Sequence, residues 1–161
     1  MGLNINNMRS CLVRRATDQS IDDATATAIS FSTSISNPNS LAEFTTNPSR
    51  ITVDKEGLYA VFGEVVFAAG STGIRTISVQ RNGTASKFDL QSNQAAPASG
   101  TGKASISGLV YLYASDYVQL VVTQNNGGAL NVTADTTALS PRFGVALIHP
   151  VYDPSANAES I

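Results

Sequence analysis

The chain has 161 residues, 42% apolar and 14% charged, with a formal net charge of −2. That length suits one domain with a real core rather than two, and the charge balance lacks the basic footprint of nucleic-acid binding. One cysteine, Cys11, excludes an intrachain disulfide; one histidine, His149, leaves His-based metal and hydrolase sites without partners; and no apolar run is long enough for a membrane span.

Residues 1–9 alternate Leu3, Ile5 and Met8 with Asn4, Asn6 and Asn7. This reads either as an N-terminal arm that adds a strand to a neighbouring subunit or as an unstructured leader. The segment has no basic and apolar regions of a secretory signal, and Asn6 stands where a myristoylation signal carries Ser or Thr, so cytosolic synthesis is expected. A β-prone stretch follows at Cys11 to Arg15, then Asp18, Asp22 and Asp23 in an early loop, then an alternating stretch from Ala24 to Phe31. The three aspartates lack the alternating oxygen ligands and distant Glu of an EF-hand loop, and read as a solvated turn. Ser32 to Arg50 is a long polar connection broken by Pro38 and Pro48.

Ile51 and Val53 show a period of two, and the turn Asp54-Lys55-Glu56-Gly57 leads into the strongest strand, Leu58 to Ala69. Gly70-Ser71-Thr72-Gly73 has no P-loop lysine and reads as a turn. Ile74 to Arg81 alternates, and Asn82-Gly83 is a strong hairpin signal because both turn positions need positive φ. That reading takes precedence over glycosylation at Asn82-Gly83-Thr84; Asn131-Val132-Thr133 also has the glycosylation pattern. Thr84 to Leu90 is the expected return strand and Gln91 to Gly102 a loop. Strands are then expected over Ala104 to Tyr113, Tyr117 to Gln124, Ala129 to Thr133 and Arg142 to Ile148. Residues 10–149 form the predicted domain and 150–161 a C-terminal tail.

Ser, Thr, Asn and Gln make up about a third of the chain, and Lys and Glu, which coat surface helices, are scarce. Eight to ten short strands with frequent turn signals and no helical pattern predict an all-β sandwich or barrel. Most strands alternate cleanly, but three do not. Leu58, Phe62 and Val66 back the core face of the central strand, Leu109 and Tyr111 do so in the strand ending at Tyr113, and the segment Phe143 to Ile148 is apolar on both sides. Without helices to cover a second face, the expected cover is another subunit; a closed barrel or loops folded over that face are the alternatives. The predicted interface comprises Leu58, Phe62, Val66, Leu109, Tyr111, Gly144 and Ala146, with Glu64 paired or at its rim.

The order of signals resembles the jelly roll of the tumour necrosis factor and complement globular-head family, in the version found in bacterial and phage proteins. The resemblance rests on Phe31, Asn47-Pro48-Ser49-Arg50-Ile51-Thr52-Val53, Gly57-Leu58-Tyr59, Arg81-Asn82-Gly83-Thr84, Asp116-Tyr117-Val118-Gln119-Leu120 and Phe143-Gly144-Val145-Ala146-Leu147. It spans residues 10–148 and implies a ten-stranded, two-sheet jelly-roll sandwich that assembles as a homotrimer through the same three strands. One departure is Ser115, where relatives usually carry glycine. No collagen-like stalk precedes the domain, which disfavours an animal defence role.

The function expected from this is non-enzymatic. His149 reads as a tail residue and Cys11 as a small core residue, so no catalytic, cofactor or metal residue is assigned. The expected role is a bacteriophage virion protein, either capsid decoration (cement) or a head or tail fibre component. Its partners would be itself and the major capsid protein or another virion protein, with no nucleic acid and no membrane, and Leu3, Ile5 and Met8 would form the particle-binding arm. The alternative is a receptor- or glycan-binding fibre tip that uses the loops Ser32 to Arg50 and Gln91 to Gly102.

Overall fold

The computed structural model describes residues 8–83, 88–135 and 140–150. Every regular element among them is a strand: β1 (Ser10–Arg14), β2 (Gln19–Ile21), β3 (Thr27–Ala28), β4 (Thr33–Ser36), β5 (Ile51–Thr52), β6 (Gly57–Phe67), β7 (Ile74–Arg81), β8 (Phe88–Ala95), β9 (Gly102–Leu112), β10 (Tyr117–Gln124), β11 (Leu130–Val132) and β12 (Arg142–Pro150). They form two antiparallel sheets. The first runs β2-β11-β6-β12-β1-β4, with β9 paired along the other side of β6; the second runs β3-β10-β7-β8, with β5 on β10.

The core lies between the sheets because the inward residues of each strand recur at a period of two. Tyr59, Val61, Val65 and Phe67 of β6, Val110 and Leu112 of β9, and Phe143 and Val145 of β12 meet Ile77 and Val79 of β7 and Val118, Leu120 and Val122 of β10. Phe31 stacks on Phe143 with ring centroids 5.9 Å apart. Tight turns follow the sequence chemistry. Asn82 and Gly83 both adopt positive φ (54° and 65°), the pair of angles a type I′ turn requires. The Asn82 side chain is fully used there: its Nδ2 donates to Asp116 Oδ1 at 2.7 Å and its Oδ1 accepts from Tyr117 N at 2.9 Å.

Several expectations need correction. The polar segment from Ser32 to Arg50 contains β4, which pairs with β1, and the predicted loop Gln91 to Gly102 is strand as far as Ala95. Most of the predicted return strand lies later than expected: β8 starts at Phe88, and residues 84–87 lie outside the described residues. The twelve strand segments exceed the eight to ten read from sequence because β2, three residues long, and β4, inside the polar segment, both lie in stretches read as loops. His149 is not a tail residue. It lies within β12, opposite Leu58, just past a register shift after Leu147.

Candidate assembly face

Cross-strand register decides which outward side chains meet. On the outer face of the first sheet, Tyr111, Leu58 and His149 lie in one row, Leu109, Ala60, Ala146 and Ser10 in the next, and Ser107, Phe62, Gly144 and Leu12 in the third. The fourth row is charged: Ser105, Glu64, Arg142 and Arg14. Beyond it Val66 pairs with Lys103.

The three apolar rows leave large side chains in solvent. Phe62 is 36% exposed, Leu109 60% and Tyr111 41%, and outside these rows Tyr113 is 56% and Ile148 57% exposed. Tyr113 continues the face, its ring edge-on to Tyr111 at 5.4 Å. The Tyr111 hydroxyl donates to Glu56 Oε1 at 2.6 Å, and this bond pushes its pKa up to about 12, so it stays protonated. Gly144 is buried, not surface-lining: a Cβ there would stand 2.4 Å from Phe62 Cζ and 2.9 Å from the Cys11 carbonyl oxygen. Its missing side chain leaves the space that the Phe62 ring edge, Cε1 and Cζ, occupies. Beside it a cleft of about 470 Å3 opens between Leu12, Phe62, Ser107 and Arg142.

Glu64 closes this apolar area. Its Oε2 lies 2.8 Å from Lys103 Nζ and 3.1 Å from Arg142 Nη2. Burial pushes the carboxyl up, but the hydrogen bonds and charges of Lys103 and Arg142 outweigh it and hold the group below its ordinary value. Glu64 is therefore ionised and paired before anything docks on the face, which removes the penalty of burying a lone charge.

Two independent comparisons by sequence found nothing: no family model and no curated protein matches the chain. Solved structures do match. Murine APRIL at pH 5.0 aligns with 88% of this chain and all of its own at TM-score 0.65 and 12% identity, and Eiger TNF from S. frugiperda covers 91% and 96% at 0.66 and 13%. The globular domain of the zebrafish complement 1qA protein covers 88% and 98% at 0.60 and 14%. The fold is the TNF/C1q jelly roll.

On this jelly roll the structure brings together six of the seven predicted interface residues, Leu58, Phe62, Leu109, Tyr111, Gly144 and Ala146, on adjacent strands. Val66 shares their face but is cut off from them by the Glu64 cluster. Tyr113 and Ile148, apolar in the sequence but outside the predicted interface set, are exposed next to these residues, and Leu12, not singled out, stands in the third row. Leu12 was legible in the alternation of Cys11, Leu12 and Val13, and Ile148 shares the parity of Gly144 and Ala146, whereas His149 is brought opposite Leu58 by the register shift in β12, which sequence does not reveal. Of the predicted arm, Met8 is 62% exposed, and Leu3 and Ile5 lie outside the described residues. The aspartates are not one loop cluster: Asp18 precedes β2, accepting from Ala134 N at 2.8 Å, while Asp23 follows it, accepting from Gly127 N at 2.8 Å.

Proposed function

We propose that the protein is a non-enzymatic homotrimer assembled through the outer face of the β9-β6-β12 sheet, and that it serves as a structural protein of a bacteriophage particle. The observation that carries the trimer is the contiguous exposure of Phe62, Leu109, Tyr111, Tyr113 and Ile148 on a sheet that no other described element covers. Full burial of such side chains contributes about 1.5–3 kcal/mol each, and monomers rarely leave that much apolar surface contiguous. Likeness of fold to TNF and C1q chains supports self-association as a trimer, and the exposed side chains argue for this face.

The non-enzymatic reading is supported by the chemistry of the two groups most able to react. Cys11 is buried, and desolvation pushes its thiol up to about 12, far from a thiolate at neutral pH. His149 is exposed and opposite Leu58, within the apolar face. The virion role, as capsid decoration or as a head or tail fibre component, is supported by the low charge and Ser/Thr/Asn-rich composition of the chain and by the suitability of a threefold body for a site where three capsid subunits meet. Contact with the major capsid protein would run through the arm residues Leu3, Ile5 and Met8, and the place of action would be the virion.

Sedimentation equilibrium tests the assembly. The wild type should have the mass of three protomers, and Phe62→Asp, which would bury an unpaired carboxylate, should sediment as a folded monomer. A wild-type monomer, or an intact Phe62→Asp trimer, refutes this face. Co-sedimentation with empty capsids tests the virion role: the full chain should pellet with them and a chain lacking residues 1–9 should not, and equal attachment by both would reject the arm.

A further inference from the structure

The second sheet presents a face of different character. Along β7 the inward residues Arg75, Ile77 and Val79 alternate with Ile74, Thr76, Ser78 and Gln80, of which Ile74 and Thr76 reach the surface while Ser78 and Gln80 are buried. Register places Ala95, Asn93 and Gln91 of β8 beside Ile74, Thr76 and Ser78, and Thr123 of β10 beside Thr76. The result is a shallow trough of about 350 Å3 whose lining includes Ile74, Thr76, Gln91, Asn93, Thr123 and Asn125, and no charged side chain. On the same strands the charges go elsewhere. Arg75 turns into the sandwich, where its guanidinium donates to the carbonyl oxygens of Gly70 and Thr72, and Arg81 pairs with Asp89 at 3.3 Å.

The polar groups of the trough are held in place. Thr76 Oγ1 donates to Asn93 Oδ1 at 2.8 Å, which fixes the amide and leaves its Nδ2 on the far side. The Asn125 side-chain oxygen accepts from Ile74 N. Buried Gln124 pins the adjoining turn, donating to Gly128 O at 2.9 Å and accepting from Asn126 N at 2.7 Å. The Thr76–Asn93 pair and the turn at Asn125 therefore lose little freedom on binding. Ile74, 49% exposed, stands at the rim as an apolar platform.

We propose that this trough is a binding subsite for neutral carbohydrate. Carboxamides and hydroxyls each present donors and acceptors at short range, and so do the hydroxyls of a sugar. The C–H face of a pyranose ring suits the exposed Ile74 side chain. An anionic or cationic ligand would be desolvated against a lining with no counter-charge, and a protein partner would normally find aromatic or arginine anchors, which the described lining lacks. The site lies on the sheet opposite the assembly face and does not depend on the trimer.

Saturation-transfer NMR with the full-length protein tests it, using cellohexaose, maltohexaose and chitohexaose as neutral probes and sialyllactose as the anionic one. At least one neutral oligosaccharide should bind, more tightly than sialyllactose, with Gln91→Ala and Asn93→Ala each weakening it at least fivefold at an unchanged melting temperature. Phe62→Asp should bind as the wild type does, which separates this site from the assembly face. The proposal is overturned if none of the three neutral probes binds, if sialyllactose is preferred, or if both trough variants bind at wild-type strength.

Discussion

Ser115 is held at φ 76°, in the left-handed region where a Cβ crowds the backbone. Its surroundings leave no other choice. Ser115 N donates to Val53 O at 2.8 Å, Asp116 N to Tyr113 O at 3.0 Å, and Tyr113 N to Asp116 Oδ2 at 2.9 Å, closing the turn between β9 and β10. A non-glycine residue in that conformation costs about 1–2 kcal/mol, offset in part by the greater freedom glycine brings to the unfolded chain. Ser115→Gly should therefore stabilise the protein by about 0.5–1 kcal/mol, seen as a higher urea midpoint with an unchanged m-value. A lower midpoint would mean the serine contributes more than its backbone strain costs. The resemblance to the jelly-roll family implied glycine at this position, and the φ angle supplies the reason.

Among the elements, the Glu64 cluster joins three adjacent strands, since Lys103 is on β9, Glu64 on β6 and Arg142 on β12. A carboxyl held below its ordinary value stabilises the fold fully only above the pKa it has in the unfolded chain, and the contribution is lost as pH falls through the lower folded value. Wild-type stability should thus fall on acidification through and below the ordinary carboxylate range, and Glu64→Gln should show a shallower fall. At pH 7 the variant should be the less stable, because Lys103 and Arg142 lose their anion. Glu43, also held low by the backbone N–H groups of Thr45, Asn47 and Thr46, titrates in the same range and leaves residual slope in the variant. Urea melts from pH 7 to 3 decide it: parallel curves for the two proteins would show that the ion pairs add nothing to stability.

The same elements show what was legible in the sequence. β6, β7 and β10 carry long β-branched and aromatic runs between strong turn signals, and their bounds were read within two residues. β8 was misread because Gln91-Ser92-Asn93-Gln94 has the composition of a loop; only pairing with β7 makes it a strand, and pairing is not local. The exposed apolar face was visible as apolar residues on both parities. Glu64 between Phe62 and Val66 was legible in the strand's period of two, but that Lys103 and Arg142 flank it, and that Gly144 lies under an aromatic ring, follows from register across strands far apart in sequence.

For the whole molecule, a face shared between copies couples folding to concentration. If the outer side chains of Phe62, Leu109 and Tyr111 are buried only between protomers, the unfolded chain loses that burial along with its partners, and mass action enters the melting temperature. Trimer formation links three chains through two association steps, each worth about 1.4 kcal/mol per tenfold change in concentration. Raising protomer concentration a hundredfold should therefore raise the melting temperature by several degrees in the wild type, given about 2–4 °C per kcal/mol in a domain of this size. Phe62→Asp should melt lower and at one temperature across the same range, since its folded state has no partners to recruit. The contrast between the two slopes matters more than either value. A wild-type melting temperature flat in concentration, alongside a three-protomer mass, would mean that the trimer falls apart before it unfolds, and that the sandwich core between Tyr59, Phe67, Ile77 and Leu120 holds each protomer folded without help from its neighbours.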